Sequence, residues 1–462
     1  MAIDAVTTCG ELAVADLNRL QENFASNPAH TIAQNALSRL PLRDVALSRQ
    51  AVTSVDHSFS HTLDKWNATN QKQTGRCWIF AALNLFRAGA MAKMNVRDLE
   101  FSQSYVMFWD KLERANYLLQ TFVDTARDLD DDHRELASLY ENPMQDAGQW
   151  DMLVNLIKKH GLVPKAFMPE TESSSNSREM NRILNYWIRY GGQRLRALSR
   201  NGASREEIEV AKDEVIDVIY RVLRMHLGDP PATIQWQWTD RRGTFHRDDE
   251  MTPVVFAQKY VALPLDDYVC LVHDPRNEYC RTYTVQYLGN MVGGKSVTYL
   301  NVEMSLMQRI AMQTITDGEP VWFGCDAGRM SRGDLGILDH GIFDYETLYG
   351  SEFPLSKKER LLYRESQMTH AMLLTGVDVL DGNARRWRVE DSYGPTRGCG
   401  GFHVMTNSWF DEYVYEIAAR RDRLPADLQT ALDQEPVVLP IWDPMGALAR
   451  GWPRLIDSLR AL

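Results

Sequence analysis

The stretch Asn70–Asn84, NQKQTGRCWIFAALN, decides how the chain is read. Gly75 breaks the segment before it, and CWIFAALNLFRAGAMAKM then runs from Cys77 to Met94 with no breaker but Gly89. That pattern predicts a helix beginning at the cysteine. A helix N-terminus presents unpaired N–H groups and a partial positive charge, which favour a thiolate over a thiol. Gln71 lies in the loop that enters this helix. From there its side-chain amide can join the Cys77 backbone N–H in donating to a developing oxyanion. An arbitrary free cysteine is more often a small buried hydrophobe, and Cys9, Cys270, Cys280, Cys325 and Cys399 are read as core or surface thiols. The Gln-x5-Cys-Trp context at a loop-to-helix boundary sets Cys77 apart.

A thiolate nucleophile needs a general base, and an imidazole suits the role. His370 sits in QMTHAMLLTGVDV, at the entrance to a predicted strand, and WRVEDSYG ends the next strand with Asp391. Two consecutive strands can deliver these side chains next to each other. Asp391 would then hold the imidazole in one tautomer and orientation.

Composition narrows the remaining classes. The 462 residues carry 51 Lys and Arg against 62 Asp and Glu, a formal charge of −11, with 44% hydrophobic and 24% charged residues. This is the balance of a soluble globular protein long enough for a large core. No apolar run approaches the ~20 residues of a spanning helix; the nearest, Cys77–Phe86, contains Asn84. The opening MAIDAVTTCGELAV lacks a basic region and carries Asp4, so it is not read as a signal peptide. The acidic balance argues against a nucleic-acid partner. Six scattered cysteines without a CxxC pair read as reduced thiols of a cytoplasmic protein. No His lies in HExxH or beside a Cys pair, so no metal is expected.

The first half reads as helical. Leu12–Phe24 shows helical spacing, and Ser102 can cap a helix carrying Tyr105, Phe108 and Leu112. Ser204 with Glu207 forms a capping box for a helix over 205–227 that Gly228 ends. The polar run ETESSSNSRE (170–179) reads as a surface loop. From about residue 252 the segments become short, β-branched and aromatic, as in PVWFGCDA and HAMLLTGVDVL. A helical half followed by a strand-rich half predicts α+β rather than alternating α/β. The residues from Val438 onward read as an extended arm and a short helix.

The order Gln, Cys-Trp, His, polar-Ser-aromatic-Gly resembles the papain-like cysteine peptidases, and the flanks resemble one branch, the bleomycin hydrolase and aminopeptidase C family. The segments that carry this resemblance run almost end to end: SNPAHTIAQNA, NQKQTGRCWIFAALN, FSQSYVMFWDKLERANY, GQWDMLVNLIKKHGLVPK, DPRNEYCRTYTVQYLGNMVGG, PVWFGCDAG, ESQMTHAM, WRVEDSYG, WFDEYVYE and VLPIWDPMGALA. The resemblance implies a papain-like α+β fold with large insertions. Its expected parts are an N-terminal hook at 1–60, a helical subdomain with Cys77 at 61–170 and a helical insertion at 171–251. A strand-rich insertion contributing to oligomerisation follows at 252–300, then a β subdomain with His370 and Asp391 at 301–437, and an arm and tail at 438–462.

By position, the resemblance makes Cys77 the nucleophile, His370 its base and later acid, Asp391 the orienting group, and Gln71 the oxyanion donor. Gly148 corresponds to the glycine whose backbone pairs with the substrate, and Ala449 to the arm's terminal residue in the cleft. It further implies a cytoplasmic homohexamer acting on peptides from their N-termini, with no metal, cofactor or membrane. The chain departs from the family pattern at Asp391 (Asn in the family), Tyr393 (Trp) and Ala147 (Gly), and it continues beyond Ala449 with RGWPRLIDSLRAL. The NSW tripeptide at 407–409 also matches papain but falls outside the family frame. Two rival readings are an endopeptidase or broad peptide-trimming enzyme, and a catalytically weak hexameric scaffold.

Overall fold

The computed structural model describes residues 10, 12–63, 66–261 and 263–450. Cys9 and the tail after Arg450 lie outside the described residues. The chain divides into two compact units, 1–55 with 340–354, and 56–339 with 355–462.

The first unit holds helices Val14–Ser26 and Pro28–Leu37 and the shorter Leu42–Val45 and Arg49–Ser54. Asn27 starts the second helix by accepting from the Ala29 N–H at 3.0 Å, with Pro28 in its first turn. Residues 340–354 join this unit: Leu47 bridges Phe343, and the Asp344 N–H donates to the Ala46 carbonyl at 2.8 Å. Leu17, Leu20 and Phe24 of Val14–Ser26 are exposed.

The second unit packs helices α1 (Cys77–Met94), α2 (Gln103–Asp124), α3 (Trp150–His160), α4 (Arg178–Arg200), α5 (Arg205–Leu227), α6 (Met304–Thr316) and α7 (Asn407–Tyr413) with a mixed sheet. The caps follow the sequence. Ser102 accepts from the Tyr105 N–H at 3.0 Å. The Ser204–Glu207 box closes both ways, and Gly228 takes the positive φ of 88° that ends α5.

The sheet contains β1 (Tyr268–Val272), β2 (Arg281–Val285), β3 (Tyr299–Asn301), β4 (Val321–Cys325), β5 (His370–Leu380), β6 (Asn383–Glu390), β7 (Phe402–Thr406), β8 (Val414–Arg420) and β9 (Val437–Leu439). They lie in the order β9-β2-β3-β1-β8-β4-β5-β6-β7. The strands of the expected 252–300 insertion pair into the same sheet as those of 301–437; β1 lies against β8, with Val272 opposite Glu416.

Both faces of the centre are buried. Along β5, Ala371 and Leu373 join the core under α1 and α3, while Met372 and Leu374 join a second core with α6 and α7. This alternation explains why HAMLLTGVDVL is almost continuously apolar. Asp381 and Gly382, both at positive φ (51° and 78°), make the tight turn from β5 to β6. The hairpin brings the start of β5 and the end of β6 to one end of the sheet, and this pairing positions the site.

The polar run 170–179 is not the expected surface loop. It contains a helical turn, Glu172–Ser175, and begins α4, and Ser174 and Ser177 are buried. Small hydroxyls tolerate burial when each finds a partner: Ser174 donates to Glu170 at 2.7 Å, and Ser177 donates to Asp146.

Candidate active site

Cys77 begins α1 and is buried, 3% exposed. Its helix is held at this end by tryptophans and buried ion pairs. Trp78 is fully buried and its indole N–H donates to the Asp146 carbonyl at 2.8 Å, while Trp322 of β4 donates to the Trp78 carbonyl at 3.2 Å. Burial of each such indole is worth a few kcal/mol, and the N–H partners remove the desolvation cost. Arg76, just before the helix, makes a bidentate pair with Glu170 at 2.7 and 3.1 Å.

Asp146 anchors the loop before the nucleophile. Its carboxylate accepts from the Gly75 N–H at 3.1 Å, from Asn181 at 2.8 Å and from Ser177, and pairs with Lys111 at 2.8 Å. Burial pushes this carboxyl up, but the Lys111 ammonium and the hydrogen bonds outweigh burial and hold it well below the usual carboxylate range. Nothing in the local sequence marks Asp146; a buried hub of this kind is assembled by tertiary structure.

His370 opens β5 directly opposite Cys325 of β4. Asp391 follows the last residue of β6, and the His370 Nε2–Asp391 Oδ1 distance is 3.0 Å. The Ser392 N–H donates to the same oxygen at 2.8 Å. Burial pushes the His370 pKa down, but the interaction with Cys77, followed by that with Asp391, more than reverses this, raising it to about 10. Burial pushes the Asp391 carboxyl up; the bond from His370 and the charge of His370 reverse that and hold it below its ordinary value. The Tyr393 ring stacks on His370 with centroids 5.8 Å apart.

The loops carrying Gln71 and Asp391 are sewn together. The Gln71 N–H donates to the Ser392 carbonyl at 2.8 Å, Ser392 Oγ donates to Gln71 Oε1 at 2.5 Å, and the Gly394 N–H donates to the Thr69 carbonyl at 2.9 Å. Gln71 Nε2 donates to the Thr74 carbonyl at 2.5 Å, a bond that uses one of its two N–H groups. Below them Glu390 accepts from Trp66 at 2.6 Å and Asn84 at 2.8 Å.

A cavity of about 750 Å³ opens on this centre, lined by Gln71, Gly75, Cys77, Ala147, His370 and Tyr393, and further out by Asn176, Ser177, Arg178 and Arg182. Gly148 is buried beside it: a Cβ there would sit 2.6 Å from the Trp78 ring, so packing alone demands a glycine. Ala449 lies in a short 3-10 turn, Pro444–Arg450, and is 4% exposed. Its carbonyl accepts from the Gln145 amide, and Gln145 lines the cavity. Asn407 is occupied elsewhere, accepting from Trp387 and Gln308, each at 3.1 Å. Sequence reading missed His403 of β7, whose Nε2 lies 3.6 Å from Asp391 Oδ2. Among the described residues no cluster of three or more His, Cys, Asp or Glu suits a metal ion, and no helix is long and apolar enough to cross a membrane.

A helical layer carrying a buried cysteine, against a sheet carrying a paired histidine and carboxylate, defines a papain-like thiol peptidase. Comparison with known proteins agrees. The model of the Peptidase C1-like family matches residues 11–446. Bleomycin hydrolase of Gallus gallus is 43% identical over 451 residues, covering 95% of this chain and 98% of that protein. Aminopeptidase C of Lactobacillus delbrueckii subsp. lactis is 39% identical over 445 residues, with 95% and 99% covered. The crystal structure of PepW from Lactobacillus rhamnosis HN001 superposes with a TM-score of 0.93 at 42% identity, covering 95% of this chain and 99% of that one. The chain belongs to the Peptidase C1-like family, as a cysteine peptidase of the bleomycin hydrolase and aminopeptidase C type.

Proposed function

We propose that Cys77 is the nucleophile of a cysteine aminopeptidase, with His370 as its proton partner, Asp391 orienting the imidazole and Gln71 completing the oxyanion hole. The observation that carries this reading is the line from Cys77 at the head of α1, through His370, to Asp391 at 3.0 Å. The Cys77 thiolate attacks the substrate carbonyl. The oxyanion is met by the Cys77 N–H and the second N–H of Gln71. His370 protonates the leaving amine, and water, deprotonated by His370, then frees the acyl-enzyme. Substrate main chain runs along the backbone at Ala147 and Gly148.

The arm to Ala449 supports action from the peptide N-terminus, because the Ala449 carbonyl is held by Gln145, a residue of the cavity lining. The working form is read as a cytoplasmic homohexamer; the exposed Leu17, Leu20 and Phe24 of the helix Val14–Ser26 support its burial in an assembly. Cleavage of matched free-amine and N-acetylated peptides by wild type and Cys77→Ala tests the proposal. Strong preference for the free amine, lost with Cys77, is expected. Equal cleavage of both peptides would make the enzyme an endopeptidase.

A further inference from the structure

His403 is a buried imidazole that the mechanism above does not use. It lies on β7 opposite Val389 of β6, is 3% exposed, and neither ring nitrogen has a hydrogen-bond partner. A buried ring with both nitrogens unpaired is costly unless something nearby takes its proton. It faces Asp391, with Nε2 3.6 Å from Oδ2. His370 and the Ser392 N–H both use the other oxygen, Oδ1. No other donor reaches Oδ2 among the described residues. The Gly398 turn comes close behind the ring: a Cβ there would lie 3.4 Å from His403 Nδ1 and 2.5 Å from the Phe402 carbonyl.

The ring's charge state follows from its surroundings. Burial pushes its pKa down, Asp391 opposes this, and the positive charges of Arg397 and His370 add to burial, so the net direction is down. His403 is therefore neutral near pH 7 and has a single N–H to give.

We propose that His403 is a positioning residue of the catalytic centre: its neutral ring, protonated on Nε2, donates to Asp391 Oδ2 and fixes Oδ1 on His370. A closure of roughly 0.5 Å makes this a normal hydrogen bond. The anchor matters because the third group is a carboxylate. Its two oxygens are chemically equivalent, and a donor on Oδ2 adds to the Ser392 N–H on Oδ1 in setting its rotation. An Asn there distinguishes oxygen from nitrogen by chemistry and needs the anchor less. The inference rests on the proposed catalytic roles of Cys77, His370 and Asp391.

The test measures kcat and KM at pH 7 on one unblocked peptide, with melting curves, for wild type, Cys77→Ala, His403→Leu, His403→Gln, Asp391→Asn and the double variant Asp391→Asn with His403→Leu. His403→Leu should lower kcat by about 10-fold with KM nearly unchanged, the effect of stranding one acceptor oxygen. His403→Gln should keep most of the activity, since its amide N–H can replace the imidazole's. On the Asp391→Asn background the same His403→Leu change should cost less than about 3-fold, because no carboxylate remains to be anchored. Should His403→Leu fail to fold, His403→Met takes its place in both backgrounds. Equal losses in the two backgrounds, or a His403→Leu enzyme with full kcat, would overturn the inference alone. Turnover that survives Cys77→Ala would overturn the catalytic reading and this inference with it.

Discussion

Replacing Asp146 by Asn removes one charge at nearly constant shape and strands a buried ammonium. Lys111 is fully buried, and its other hydrogen-bond partner, the Met144 carbonyl, carries no charge. Burial already pushes the Lys111 pKa down, and Asp146 is the main group opposing it. Breaking a buried pair from one side typically costs about 3–5 kcal/mol. At about 2 °C per kcal/mol for a chain this long, Tm should fall by roughly 6–10 °C. The deficit has a distinctive pH dependence. Asp146 is held below its ordinary pKa, so its contribution is present above about pH 4 and fades as pH falls further. The Lys111 pKa is also lowered in the folded state, so raising pH lets the stranded ammonium of the variant deprotonate and recovers stability. The gap between wild type and variant should thus be widest near neutrality and narrow towards both ends of a pH range of about 3–9. Adding Lys111→Met should restore most of the lost Tm. Thermal melts across that range on wild type, the two single variants and the double variant read all of this. An Asp146→Asn variant within ~2 °C of wild type at pH 7, or no recovery with Lys111→Met, would refute the reasoning.

Asp391→Asn removes an anion that favours the imidazolium, so the alkaline limb of kcat/KM should move to lower pH by about one unit or more, with substantial activity retained. A pH–rate profile whose alkaline limb stays fixed or rises would separate Asp391 from His370. Truncation after Ala449 should raise turnover of free-amine peptides relative to N-acetylated ones, because it leaves a carboxylate beside Gln145 to meet the substrate ammonium; an unchanged ratio would show that another group reads the amine. Gln71→Ala should lower kcat by about 100-fold with little change in KM, as loss of an oxyanion donor does; a change confined to KM would assign Gln71 to binding.

Local signals carried much of the fold into the sequence. The helix at Cys77, the caps at Ser102 and Ser204, and the strand opened by His370 all rest on neighbours within a few residues. The helical half before the strand-rich half was legible for the same reason. The features that escaped depend on partners distant in sequence. The run 170–179 looks like a surface loop because hydropathy cannot show that Ser177 and Asn181 converge on the buried Asp146 carboxylate, 31 and 35 residues away. Residues 340–354 join the N-terminal unit through pairing such as Leu47 with Phe343, which no periodicity encodes. The strands of 252–300 read correctly as strands, but their place in the main sheet depends on β8, far downstream. His403 sits in a plain strand pattern, FHVMT, and only the β6–β7 register turns it towards Asp391.

The central proposal is that one thiol among several, Cys77, does the chemistry, and its selective alkylation tests that claim most directly. Native protein is treated with a single equivalent of iodoacetamide, then peptide-mapped by mass spectrometry alongside residual turnover. Cys280 and Cys399 are exposed whereas Cys77 is buried, so exposure alone would direct the label to the former pair. A thiolate at Cys77 predicts label on Cys77, with turnover lost in the same proportion. Label on Cys280 or Cys399 while Cys77 stays unmodified and turnover falls would contradict it.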